Sequence, residues 1–253
     1  AKPDAADLTD SDRWILSMVN RLAGDVTANL DKYEIGLAAD KLYEFIWEEF
    51  CDWYIEMAKP RLYGDDGSKQ AALWTLQTVL INALKLLHPY MPFITEEIYT
   101  TIQPLCSGEY PEESIMISAW PVYKDEWNDP EAEERIGLIK EAVRGIRNAR
   151  TEMNVPLGRK TSVFVVSAQA DIRDTFEKEI NVFSTLARAS EVKVQEDRAG
   201  ISEDALSVPL ADVTIYIPID ELVDIDREIQ RLTGEEKRLE GELARVNGML
   251  SNE

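Results

Sequence analysis

From Trp47 to Glu56 the chain reads WEEFCDWYIE: two tryptophans, a tyrosine, a phenylalanine and a cysteine share a helix-length segment with four carboxylates. Extended in both directions at helical spacing, the apolar residues make two adjoining stripes. One holds Ile35, Ala39, Leu42, Ile46, Phe50, Trp53 and Met57; the other holds Tyr43, Trp47, Cys51, Tyr54 and Ala58. Together they cover more than half of the helix circumference and leave a narrow polar ridge of Lys41, Glu44, Glu48, Asp52 and Glu56. A helix with so wide an apolar face belongs at the centre of a helical bundle.

The flanking sequence supplies its partners. Thr9-Asp10-Ser11-Asp12 has the form of a capping box, and Ile15, Met18, Leu22, Val26 and Leu30 continue it as a helical stripe up to Tyr33. The central helix then runs from about Ile35 to Lys59, where Pro60 and the turn Gly64-Asp65-Asp66-Gly67 are expected to stop it. A third helix begins near Ser68, carries Leu73, Leu76, Leu80, Ala83 and Leu87, and ends at Pro89, which has no amide hydrogen to continue the ladder. A shorter fourth follows Pro92, with Phe93, Ile94, Ile98 and Ile102 as its apolar positions. Four antiparallel helices result.

Beyond Gly108 the pattern changes. SIMISAWP, Ser114 to Pro121, reads as an extended segment crossing the bundle, and a boundary follows near Asp125. Asp129-Pro130 opens a fifth helix to about Met153, with Ile136, Ile139, Val143 and Ile146 on one side and basic residues on the other. Thr161 to Ser167, Glu191 to Gln195, Leu206 to Leu210 and Val213 to Pro218 are short β-branched or alternating runs, with a helix from about Ala170 to Ala189 between the first two. From Ile225, apolar residues at Ile229, Leu232, Leu239, Leu243, Val246 and Leu250 recur in alternating steps of three and four, with Glu236 in the gap, as in a coiled coil. The expected fold is therefore mainly α: an antiparallel helix bundle over residues 1–125, a small α+β subdomain over 126–222, and the first strand of a truncated coiled-coil arm over 223–253.

Composition narrows the function. At 253 residues and 45% hydrophobic content the chain can bury a substantial core, and no apolar run approaches the roughly 20 residues that span a bilayer. The N-terminus has neither a basic start nor an apolar run, so a cytoplasmic setting without membrane attachment is expected. Cys51, Cys106 and the single His88 cannot make a disulfide framework or a standard zinc site, which also fits a reducing compartment. An alanine at position 1 and an ending inside a charged helical pattern read as a piece of a longer protein.

No catalytic constellation emerges, and neither a cofactor nor a metal site is expected within these residues. With one imidazole there is no hydrolase triad, and His88, at a helix end, is read as a cap on the last carbonyls. Glu48-Glu49 and Glu96-Glu97 are adjacent on helices and diverge by about 100°, so they form no carboxylate dyad. Neither a P-loop nor a G-x-G-x-x-G turn occurs.

What remains is a set of polar and basic ridges in a chain of formal charge −21. Arg13, Ser17 and Asn20 align along the first helix with Arg21 beside them; Lys140, Arg144 and Arg147 align along the fifth, with Arg150 adjacent. Between Lys140 and Lys160, six basic residues face two acidic ones, a local balance of +4. Arginine forks can hold phosphates, and an exposed Tyr33 could receive an unstacked base. Intramolecular ion pairs with the surrounding acids account for the same arginines equally well.

LTDSDRWILSMVNRL, then LYEFIWEEFCDWYIEMAKPRL and LLHPYMPFITEEIY, in this order and spacing, resemble the anticodon-binding domain of class I aminoacyl-tRNA synthetases. EFCDWYIE, ISAWP and the IRNARTEMNVP run from Ile146 to Pro156, followed by a coiled coil, are similar to the valyl branch in particular. The resemblance covers nearly the whole chain. It implies the tRNA-recognising portion of a valine–tRNA ligase, an enzyme that activates valine with ATP and magnesium and charges it onto its tRNA. The HIGH and KMSKS signatures of the catalytic domain do not occur here, so the fragment itself is expected to be non-catalytic. Its implied partners are the valine-accepting tRNA and the catalytic domain of the same chain, in an enzyme that acts as a monomer. Arg13, Asn20 and Tyr33 are the candidates for the anticodon loop, with Arg21 beside them as a further tRNA-binding candidate; Arg144, Arg147 and Arg150 are candidates for tRNA backbone or for bracing the bundle against the catalytic domain. An isoleucyl- or leucyl-type fragment, and a helical protein–protein scaffold without RNA binding, are the competing readings.

Overall fold

A computed structural model describes residues 2–64, 67–106, 110–156, 158–222 and 225–250; within the last helix, side chains are described at 233–244 and 247. The chain is mainly helical with one four-stranded mixed sheet, and it divides into two compact units, residues 1–140 and 141–253.

In the first unit α1 spans Asp10–Asp31 and opens on the expected capping box, with Thr9 accepting from the Asp12 amide and Asp12 from that of Thr9. The cap has a second use. Asp12 is fully buried, and its carboxylate accepts from the Tyr54 hydroxyl at 2.6 Å and from Arg61 at 2.7 Å, so the start of α1 is tied to the central helix by a charge-assisted network.

The central helix is continuous from α2 (Ile35–Glu44) through a π-helical stretch (Phe45–Tyr54) into α3 (Ile55–Tyr63). The i→i+5 bonding of that stretch widens each turn to about four and a half residues, which rotates the inward positions away from the expected stripes. Phe45, Phe50, Trp53, Tyr54, Met57 and Ala58 are buried, whereas Ile35, Tyr43 and Trp47 are exposed. Pro60 does not stop the helix; it sits in the last turn, where its missing amide removes one bond, and the chain leaves only at Gly64. The Asp65-Asp66 centre of the expected turn lies outside the described residues.

Helix α4 (Lys69–Leu87) packs on α1, α3 and α5 (Pro92–Ile102). Because it also meets α2, its buried side is broad: Trp74, Val79, Ile81, Leu84 and Leu86 are buried together with the small Ala71, Ala72, Thr75, Thr78 and Ala83, while Leu73, Leu76, Leu80 and Leu87 stay half-buried. On α5, Thr95 and Tyr99 point inward, and Phe93 and Ile94 are exposed rather than core. The His88 ring meets the Thr95 hydroxyl at 2.7 Å instead of capping α4 carbonyls. SIMISAWP forms no strand: Ile115–Ile117 is a 3-10 turn, and the Trp120 indole then donates to Thr27 on α1.

Helix α6 (Pro130–Glu152) contains the division between the units. In the second unit, β1 (Thr161–Val166) leads through α7 (Ala170–Lys178) and α8 (Ile180–Ala187) to the parallel β2 (Ala189–Gln195); β3 (Leu206–Pro209) and β4 (Thr214–Ile217) complete the order β2-β1-β4-β3. The one helix expected between β1 and β2 is two, broken at Glu179. Alternation along β1 and β4 buries Val163, Val165, Ile215 and Ile217, and α6 comes so close to β3 that a Cβ on Gly145 would meet Val208 at 2.6 Å. Helix α9 (Ile219–Leu222) precedes α10 (Ile225–Leu250), where Leu239 and Leu243 are exposed; the side chains of Ile225, Ile229, Leu232, Val246 and Leu250 lie outside the described residues. Among the described residues no helix is long and apolar enough to cross a membrane.

Candidate nucleic-acid interface

At the C-terminal end of α1 the chain reverses through Lys32 and Tyr33. Tyr33 has φ +60°, and the turn is held by amide bonds from Tyr33 to Leu30 and from Glu34 to Asn29. That backbone region favours glycine; a tyrosine there costs on the order of 1 kcal/mol. Its side chain gains nothing back by burial, being 88% exposed. The two bonds are those of a left-handed close of α1, and they leave the Tyr33 ring at the helix tip facing solvent.

A second turn lies beside it, because the Tyr90 hydroxyl donates to the Ile35 carbonyl at 3.0 Å. Met91, Phe93 and Ile94, which follow Tyr90, are exposed like Ile35 and Leu37, and Phe93 is 90% exposed. This end of the first unit therefore presents large apolar and aromatic groups to solvent, the composition that single-stranded bases stack on. The exposed pair Tyr43 and Trp47, ring centroids 6.3 Å apart, adds a further aromatic surface on the central helix.

The polar ridge on α1 is used internally. Asn20 is buried and spans the Lys124 backbone, donating to its carbonyl and accepting from its amide, both at 2.8 Å. Ser17 donates to Glu133 and accepts from the Asp129 amide. Arg21, on the exposed side, pairs with Glu133 at 2.5 Å, and Arg13 donates to the Ala5 carbonyl. The ridge thus fastens residues 124–133 to α1, and of the four α1 and α1–α2 candidates only Tyr33 stands clear of the unit. Lys140 is likewise internal: its ammonium lies 4.8 and 5.3 Å from the Trp14 and Trp53 rings and is ion-paired to Glu49.

In the second unit, Arg144 and Arg147 are exposed on α6, with Arg147 donating to the Leu186 carbonyl at 3.3 Å. Arg150 is buried; it donates to Thr161 and to the Arg159 carbonyl. Burial, then the neighbouring charges of Arg188 and Arg159, push its pKa down. Three guanidinium groups close enough to repel one another form a concentrated positive site in an otherwise acidic chain. Arg188 was not legible in the ridge pattern, since it belongs to the left-handed residue closing α8 and reaches the others only through the fold.

Residues 12–165 match the family model described as the anticodon-binding domain of tRNA ligase. Among curated proteins the chain is similar to a valine–tRNA ligase of Clostridium perfringens, 43% identical over 99% of this chain and 28% of that protein. It is similar also to those of Clostridium acetobutylicum, 41% over 98% of the chain and 28% of the relative, and Bacillus subtilis, 35% over 96% and 27%. The chain therefore spans somewhat over a quarter of the length of these relatives.

Proposed function

Since the chain belongs to the family of anticodon-binding domains of tRNA ligases, we propose that it is the tRNA-recognising portion of a valine–tRNA ligase, acting in the cytoplasm within a monomeric enzyme. The observation that carries this reading is Tyr33, held in a left-handed backbone at the tip of the α1–α2 turn and almost wholly exposed. An anticodon base leaving its stack would lie on Tyr33, with the exposed groups after Tyr90, Phe93 above all, beside the next one. Asn20 and Arg21 then act by holding residues 124–133 on α1, and Arg13 by holding the residues before α1 through the Ala5 carbonyl. Arg144 and Arg147 are phosphate contacts, and Arg150, being buried, positions Arg159 and Arg188 for the same purpose.

In this reading residues 1–125 are an antiparallel bundle, 126–222 a connecting α+β subdomain, and α10 the first strand of a coiled-coil arm, with Leu239 and Leu243 on its seam. Binding energy gained at the anticodon is used at the distant catalytic centre, because it places the acceptor end of the tRNA. ATP and magnesium supply the activation chemistry of the whole ligase. The described residues of this chain do not fit them: they contain neither a group of three or more His, Cys, Asp or Glu side chains placed to hold a metal nor a glycine-rich phosphate cradle, so no step is assigned to them here.

Filter binding of purified valine, isoleucine and leucine acceptor tRNAs at low salt tests the proposal. Preference for the valine acceptor, weakened by Tyr33→Ala, is expected. Arg144→Ala with Arg147→Ala should lower affinity for every tRNA and reduce the slope of log K against log salt by about one to two. Equal binding of all three tRNAs leaves only generic RNA affinity, no binding favours a protein scaffold, and an unchanged salt slope refutes the phosphate contacts.

A further inference from the structure

Two clefts in the first unit share a wall and take no part in the surfaces above. One, about 360 Å³, lies between α1, α4 and residues 119–127; the other, about 270 Å³, lies between the first residues of the chain, the first turns of α1 and residues 126–129. Trp74 and Trp127 line both, with ring centroids 6.4 Å apart and planes inclined at 48°. Trp120 adds a third indole to the first cleft. Each volume is near the lower end of ligand-sized pockets, roughly 300–1,000 Å³, which suits one planar ring system rather than an extended ligand.

The charges at the mouth define what that ring must carry. Lys2 and Lys124 place their ammonium groups 5.8 and 5.6 Å from the Trp127 centroid, both are exposed, and neither has an ion-pair partner among the described residues. Arg13 lines the second cleft. Two acids line it too, Glu126 and Asp129, but the Asp129 carboxylate is already accepting from the Ala132 amide at the start of α6. Among the described residues, the only charged one lining the first cleft is Lys124. Asn82, on its wall, donates its amide to the Thr78 carbonyl and keeps its side-chain oxygen to accept from an exocyclic amine.

We propose that the first cleft forms a nucleotide-binding groove: a planar heteroaromatic base lies against Trp120 and the wall made by Trp127 and the edge of the buried Trp74, and its phosphate is held at the mouth by Lys124, with Lys2 beside the same Trp127 ring. The ligand is either a free mononucleotide or a step of single-stranded RNA, since both present the same ring and anion. Indole faces supply stacking that is tolerant of base identity, and lysines supply the attraction for phosphate. The groove follows the middle of α1, and Tyr33 lies beyond the end of that helix, so this site does not depend on the reading of the tip.

The full chain, labelled with ¹⁵N at tryptophan, is titrated with AMP, adenosine, inorganic phosphate and the dinucleotide pApA while the six indole N–H resonances are followed. AMP is expected to shift Trp74, Trp120 and Trp127 saturably, at half-saturation on the order of a millimolar, and to leave Trp47 in place. Adenosine should move the same three signals with about three- to tenfold weaker affinity, and Lys2→Ala with Lys124→Ala should bring AMP down to the adenosine value. Binding of pApA at least about tenfold tighter than AMP assigns the groove to an RNA strand; equal affinity assigns it to a free nucleotide. The proposal is overturned if neither nucleotide shifts the three indoles, if phosphate alone shifts them as strongly, if adenosine equals AMP, or if the double lysine variant binds AMP unchanged. Tyr33→Ala should leave the titration as it is, which separates failure here from failure of the anticodon reading.

Discussion

Removal of one hydroxyl, Tyr54→Phe, probes the network that joins the α1 cap to the central helix. Tyr54 is completely buried and donates to Asp12 at 2.6 Å; the same carboxylate also accepts from Arg61 at 2.7 Å and from the Thr9 amide at 3.1 Å. The variant leaves Asp12 two of these three donors, so the loss is that of one hydrogen bond to a charged acceptor, about 1.5–3 kcal/mol at neutral pH. Burial first, and the Asp12 charge next, raise the Tyr54 pKa well above its ordinary value. The folded state therefore keeps a proton that the unfolded chain gives up near pH 10. Its stabilising contribution is complete below about pH 10 and is lost as pH climbs toward the folded-state pKa, by about 1.4 kcal/mol per pH unit. The phenylalanine variant has no such proton to lose. All six tryptophans lie at or before Trp127, so urea unfolding followed by indole fluorescence reports the first unit alone. The stability gap between wild type and Tyr54→Phe should hold from pH 7 to 9, then narrow, closing within about two pH units above 10. A gap that stays constant to about pH 11.5 would mean that the phenol ionises as freely folded as unfolded, and would refute the buried network.

Gly145→Ala should destabilise the second unit by about 1–3 kcal/mol, because the added Cβ would stand 2.6 Å from Val208; far-UV circular dichroism of the urea transition, with the tryptophan signal unchanged, checks it. Lys140→Met should cost the first unit about 3 kcal/mol by leaving Glu49 with its side chain only 17% exposed and unpaired, whereas adding Glu49→Leu should restore most of the loss; equal instability of the two variants argues against the ion pair. Tyr33→Gly should raise the stability of the first unit by up to about 1 kcal/mol through relief of its φ of +60°, yet weaken tRNA binding about tenfold. Weaker binding with unchanged stability would deny the strain, and unchanged binding would deny the contact.

The order of elements was legible because its punctuation is local. Thr9 to Asp12 states its capping box in four letters, Pro92 and Pro130 open helices, and the β-branched runs at Thr161 and Thr214 alternate as half-buried strands must. Facing was less legible. Stripes drawn at 3.6 residues per turn assign Tyr43 and Trp47 to the core; Tyr43 stands one position past the buried Leu42 on α2, and Trp47 lies in the π-helical stretch, whose wider turn composition does not disclose. On α4 the buried side is turned from the drawn stripe: Trp74, Val79, Ile81, Leu84 and Leu86 are buried with alanines and threonines, and Leu73 and Leu80 are left half-buried.

The candidate site shows the same division more sharply. A ridge of Arg13, Ser17, Asn20 and Arg21 has the spacing of a binding face, but spacing along one helix says nothing about residues 124–133, whose backbone groups and Glu133 take up Ser17, Asn20 and Arg21, or about the Ala5 carbonyl that takes up Arg13. Tyr33 is informative for the opposite reason. A tyrosine between Lys32 and Glu34 gives no turn signal in the sequence, yet its left-handed backbone closes α1, with the Tyr33 and Glu34 amides bonding back to Leu30 and Asn29, while its ring is left in solvent. The ring, unlike the backbone, serves neither the turn nor the core, which is what makes it the base-stacking candidate of the proposed function. The left-handed φ alone does not point to a ligand, since Arg188 closes α8 in the same conformation; it is the large exposed ring at a position where glycine would cost less that motivates the proposed contact.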